Sequence, residues 1–105
     1  MDEAQIRDHI NQHADTVLRG DMDAIVADFT EDLRPGVPQI VQEVLPQPVT
    51  AAEVLDIDVG DSETVAMIRY SGDAGEVTIR SRWQEQAGRP VIVHAEPTAD
   101  TALGG

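Results

Sequence analysis

The chain has 105 residues, of which 41% are hydrophobic and 26% charged, the size and composition of one globular domain. Twenty acidic residues face seven basic ones, for a net charge of −13, which argues against nucleic acid and anionic membrane surfaces as partners. There is no cysteine, so disulfides, thiol nucleophiles and thiolate metal centres are excluded.

The N-terminal stretch MDEAQIRDH is acidic and polar, unlike a signal peptide. No apolar run approaches the roughly 20 residues of a membrane helix. A cytoplasmic protein is expected. All seven basic residues are arginine, the codon usage of a GC-rich bacterial gene.

Three helices are predicted first. Ile6, Ile10, Ala14, Val17 and Leu18 recur at helical spacing. Asp2 with Gln5 has the form of a capping box, and Gly20 is a stop. Asp21 then caps a second helix, with Met22, Ile25, Val26 and Phe29 on one stripe. Arg34-Pro35-Gly36 breaks the chain. Val37, Ile40, Val41, Val44 and Leu45 make a third stripe, with Pro38 in its first turn and Pro46 and Pro48 beyond its end.

The period then changes from about 3.6 to 2. Leu55, Ile57 and Val59 alternate with Asp56 and Asp58, which gives the three apolar residues the claim to the core. Residues 64–71 are rich in strand formers, Gly72-Asp73-Ala74-Gly75 is a hairpin turn, and residues 76–84 alternate again. Gln86-Ala87-Gly88-Arg89 turns into a last strand that Pro90 can only begin.

Pairing Tyr70 with Val77 sorts the side chains onto two faces. Ala66, Ile68, Tyr70, Val77, Ile79, Ser81, Trp83, Val91, Val93 and Ala95 form the inner face. Met67, Arg69, Thr78, Arg80, Arg82, Ile92, His94 and Glu96 form the outer one. The fold class is α+β, with three N-terminal helices on one side of a curved four-stranded antiparallel sheet. Ile10, Leu18, Phe29, Ile68, Ile79, Trp83 and Val93 are the expected core. One domain over residues 1–97 and a flexible tail over 98–105 complete the layout.

Three segments carry a family resemblance. LRGDMDAIVADFTEDL, residues 18–33, resembles the second helix of the NTF2-like superfamily, which follows a Gly-Asp pair. LPQPVTAAEVLDIDVGD, residues 45–61, is similar to the family's short third helix running into the sheet. RSRWQEQAGRPVIVHAEP, residues 80–97, is similar to its last hairpin of two long strands. This superfamily includes the SnoaL-like and ketosteroid-isomerase-like proteins. The resemblance implies a cystatin/NTF2-like cone, small here because the chain is short. It also implies carboxylates inside the cone in relatives that are enzymes, and pairing through the outer sheet face.

His9 and His13 stand at i, i+4, the spacing of a helical zinc pair. Ile10 occupies the place of the metalloprotease glutamate, and the two histidines read as solvated or boundary residues. Asp56, Asp58, Asp61 and Glu63 do not make a calcium loop, because Asp61 stands where that loop needs glycine. No glycine pattern cradles a phosphate. No catalytic residue, metal site or cofactor is assigned.

The candidate ligand-binding residues fall in two groups. Phe29, Tyr70 and Trp83 could line a site for a small hydrophobic ligand. Arg69, Arg80 and Arg82, with His94 and Glu96 beside them, could hold an anion, or the arginines could pair with Asp56, Asp58 and Glu96 or lie at a dimer interface. The expected function is a non-enzymatic module that binds a small ligand or another protein. The alternative is an isomerase, cyclase or hydrolase using acid–base chemistry in the cone, with His94 and Glu96 as the pair. A cavity of ~300 Å3 or more holding a carboxylate or histidine favours the enzyme, and a cone filled by Phe29, Met67 or Trp83 favours the module. A homodimer through the outer face is expected, since arginine and methionine are enriched at interfaces.

Overall fold

A computed structural model describes residues 2–98. Helix α1 spans Glu3–Arg19 and opens on the expected capping box: Gln5 N–H donates to Asp2 Oδ1 at 2.8 Å, and Asp2 N–H donates to Gln5 Oε1 at 3.2 Å. Gly20 ends it at φ 71°, a left-handed conformation open to glycine. The helix buries a single stripe of Ile6, Ile10, His13, Ala14 and Val17. Leu18, expected in the core, is instead 37% exposed. It lies about 100° around the helix from Val17, off the stripe.

Helix α2, Met22–Ala27, is capped by Asp21, whose side chain accepts from Ala24 N–H. Arg89 Nη2 donates to the Ala27 carbonyl at 2.7 Å, placing a cation on the helix C-terminus. A 3-10 turn at Arg34–Gly36 leads into α3, Val37–Val44, with proline in its first turn. The three predicted helices are therefore present, the break at Arg34-Pro35-Gly36 being one turn of 3-10 helix.

Four strands follow, β1 Ala51–Val59, β2 Thr64–Gly72, β3 Gly75–Gln86 and β4 Arg89–Pro97, in the antiparallel order β1-β2-β3-β4. Tyr70 pairs with Val77 as expected. In the β3–β4 turn Ala87 and Gly88 have φ 53° and 80°, the two positive values that a type I′ hairpin requires.

Two irregularities alter the predicted faces. Between β1 and β2 the register shifts from Val54↔Ile68 to Asp56↔Met67, leaving Leu55 as an extra residue. Leu55 is 45% exposed, whereas Val54, Ile57 and Val59 pack on the core. Between β3 and β4 it shifts from Arg82↔His94 to Trp83↔Ile92, leaving Val93 unpaired. Ile92, assigned to the outer face, is therefore turned inward and buried, and Val93 is only half-buried. Each bulge inverts the alternation on one side of itself.

The helices pack on the inner face. Ile6, Ile10, Val17, Ile25 and Val37 meet Ala66, Ile68, Tyr70, Val77, Trp83 and Ile92 in one cluster. Trp83, Ile10 and Ile68 are buried as expected, while Phe29 and Ile79 are half-buried at its edge. Burying each large apolar side chain contributes roughly 1.5–3 kcal/mol. The expected tail lies, beyond Thr98, outside the described residues. Among the described residues no helix is long and apolar enough to cross a membrane.

Candidate functional site

One carboxylate receives two histidines. His13 falls on the buried stripe of α1, and His9 stands one turn before it. Asp28 is the C-terminal cap of α2, where its N–H donates to the Ile25 and Val26 carbonyls. Its carbonyl accepts Ile92 N–H at 2.7 Å, and Thr30 N–H donates to the Ile92 carbonyl at 3.1 Å. This short pairing covers the edge of β4 and fixes Asp28 beneath α1. Asp28 Oδ2 lies 2.8 Å from His13 Nδ1, and Oδ1 lies 3.2 Å from His9 Nε2.

Burial alone would raise the Asp28 carboxyl. The hydrogen bond and charge of His13, then those of His9, outweigh it and hold the carboxyl below the usual aspartate range. Asp28 is thus an ionised acceptor, and each histidine donates to it. Each ring therefore carries a proton on the nitrogen that faces Asp28, Nδ1 of His13 and Nε2 of His9.

Aromatic edges enclose the pair. Trp83 meets His13 and His9 edge-on at 5.3 and 5.7 Å, and Phe29 meets His13 at 6.2 Å. The Trp83 indole N–H donates to Ser81 Oγ at 2.9 Å, which satisfies a polar group buried with the ring. Burial, then the Asp28 charge, push the Tyr70 phenol up, so it stays neutral.

His13 lies in the wall of a mainly apolar pocket of about 60 Å3. Val41, Val44 and Leu45 from α3 and its end form one side and Ile68, Tyr70 and Ile79 the sheet side, with Phe29 and Ile92 also in the wall. Ile40, 56% exposed, and Pro97 stand at the rim. The volume is well below the ~300 Å3 at which drug-sized ligand sites begin. Trp83 is fully buried behind the pocket, and Met67 lies on the other face of the sheet.

The arginines form a separate group on that other face. Arg69 pairs with Glu53, Arg82 Nη2 lies 2.9 Å from Glu63, and Arg80 lies 4.0 Å from Glu96. His94 Nε2 is 3.3 Å from the same Glu96. The partners are Glu53 and Glu63 rather than the expected Asp56 and Asp58, since Glu53 stands directly across from Arg69. The hydrogen bond from Arg82 lowers the Glu63 carboxyl, and Glu63 raises the guanidinium in return. An anion at this face would have to displace a carboxylate from each guanidinium.

The structure thus gathers Phe29 and Tyr70 in the pocket wall, with Trp83 behind. It keeps Arg69, Arg80, Arg82 and His94 apart from them, and Glu96 joins the two regions at the rim. His13 and Asp28 were missed as site residues. The available signal was His13 itself, which shares the apolar stripe of Ile6, Ile10 and Val17 and so required a buried partner. Among the described residues no group of three His, Cys, Asp or Glu side chains could hold a metal ion. Comparison with protein-family models, curated proteins and solved structures finds no match to this chain.

Proposed function

We propose that this chain is a small NTF2-like domain that binds a small, mainly apolar ligand in the pocket between α3 and the sheet. The observation that carries the reading is an apolar pocket whose wall contains a histidine oriented by a half-buried carboxylate. Its volume limits the occupant to a molecule of few heavy atoms unless α3 moves outward. A 1H–15N NMR titration with toluene tests this. Saturable shifts at Val44, Ile68 and Ile92 support it, and the absence of any saturable shift overturns it.

The outer sheet face supports a second element of the proposal, a homodimer. Arg69, Arg80 and Arg82 are balanced there by Glu53, Glu96 and Glu63, so these pairs add no net charge in a chain of −13. Met67 lies among them, paired to Arg80. Asp56 and Asp58 stand on the same face, across from Met67 and Val65, so the arginines offset only part of its negative charge, and it is there that two strongly acidic molecules meet with least repulsion.

One observation favours acid–base chemistry as a second reading. The Asp28–His13 pair has the geometry of a carboxylate-oriented general base, in reach of the pocket. His94, exposed on the outer face, is poorly placed for that role.

A further inference from the structure

The tautomer of His13 determines which ligands the pocket prefers. Nδ1 donates to Asp28, and Asp28 is not part of the pocket wall. With Nδ1 on Asp28, Nε2 is the ring nitrogen left for a ligand, and in the neutral imidazole its lone pair accepts and cannot donate. The rest of the wall is mainly aliphatic and aromatic, and its other polar side chains are those of Tyr70, Ser81 and Glu96. Asp28 stays ionised just behind the ring, and the chain carries −13 overall. Both features repel a carboxylate or phosphate.

We infer that the pocket selects a small neutral alcohol or phenol, whose O–H donates to Nε2 of His13 while its apolar body lies against α3 and the sheet. This rests on the ligand-binding reading above and adds to it the chemical class of the ligand. An apolar pocket alone would not distinguish an O–H group from a methyl group in favour of the hydroxyl. An acceptor in the wall does, because a ligand that displaces its water leaves Nε2 without a partner unless the ligand supplies one.

The test is a matched series of probes of similar size: toluene, phenol, benzaldehyde and benzoate. Binding is followed by NMR shifts in alkaline solution. The expected order is phenol tightest, roughly tenfold ahead of toluene, with benzaldehyde no better than toluene and benzoate weakest. The His13→Phe variant should bind toluene and phenol alike.

The outcomes separate the two claims. Toluene and phenol binding equally well to the parent would overturn this inference and leave the ligand-binding reading standing. Benzaldehyde ahead of phenol in the parent would also overturn it, and would place the polar end of the ligand at the Tyr70 hydroxyl. No saturable shift with any probe would overturn both. A phenol preference that survives His13→Phe would also overturn this inference.

Discussion

Asp28 binds His13 through its side chain and Ile92 through its backbone: Oδ2 lies 2.8 Å from His13 Nδ1, and its carbonyl accepts Ile92 N–H at 2.7 Å. One residue therefore fastens α1 to the edge of β4 and sets the orientation of a pocket histidine.

Removing that side chain should destabilise the fold. Asp28→Ala leaves His13 without its acceptor, and a stranded buried donor costs about 1–3 kcal/mol. Urea unfolding at neutral pH measures it. A loss below about 0.5 kcal/mol would mean the pair is solvated in solution.

The pH dependence has a definite sign. The Asp28 carboxyl is lower in the folded chain than its ordinary value of 3.8. Its contribution is therefore present in full above that value and is lost as pH falls through the lower, folded one. The parent should lose stability relative to Asp28→Asn as the solution is acidified below about pH 4. Parallel acid titrations of the two proteins, followed by circular dichroism, check this. A constant difference between them down to pH ~2 would contradict it.

The bulge in β4 separates two neighbouring residues. Ile92 is 1% exposed and packs with Trp83, whereas Val93 is the unpaired residue. Ile92→Ala should cost about 2–5 kcal/mol and Val93→Ala about 1 or less. Equal losses would mean that β4 pairs without the bulge.

Gly72 is a site of close approach. A Cβ there would collide with the Pro48 carbonyl oxygen and lie 3.0 Å from Pro46 Cβ. Gly72→Ala should therefore destabilise by more than about 1 kcal/mol. Gly36→Ala meets nothing within 4 Å and should be neutral or slightly stabilising, as loss of glycine freedom in the unfolded chain favours folding. Thermal unfolding of both variants makes the comparison.

Much of this architecture is legible in the sequence, for physical reasons that can be named. Asp2, Gln5, Gly20 and Asp21 act locally, so their caps are readable from a few neighbours. Tyr70↔Val77 follows from a two-residue turn that leaves no other register. Leu55 and Val93 could not be read, because a bulge depends on how two distant strands coil, and alternation alone gives no sign of it. The site is harder still. His9 and His13 stand out by spacing, but their partner is 15 residues beyond His13, in the cap of another helix. Only packing brings the three together. The arginines were legible as one face, while their carboxylate partners depended on the β1 register.

Association through the outer face can be tested by salt. Two chains of −13 repel over the screening length of ~8–10 Å, so a homodimer should tighten from low to moderate ionic strength. Sedimentation at both conditions reads this, and Arg82→Glu, which removes the partner of Glu63, should weaken it. A monomer at both salts in the high micromolar range, or an Arg82→Glu variant that pairs as well as the parent, would rule the interface out.

The most direct measurement is a long-range 1H–15N spectrum of the His13 ring, recorded without ligand and again with saturating phenol. In alkaline solution the free protein should show Nδ1 protonated and Nε2 bare, and phenol should shift the Nε2 resonance while leaving Nδ1 bonded to Asp28. A free ring protonated on Nε2, or an Nε2 resonance unmoved by phenol, would contradict the pocket as a site for a hydroxyl-bearing ligand.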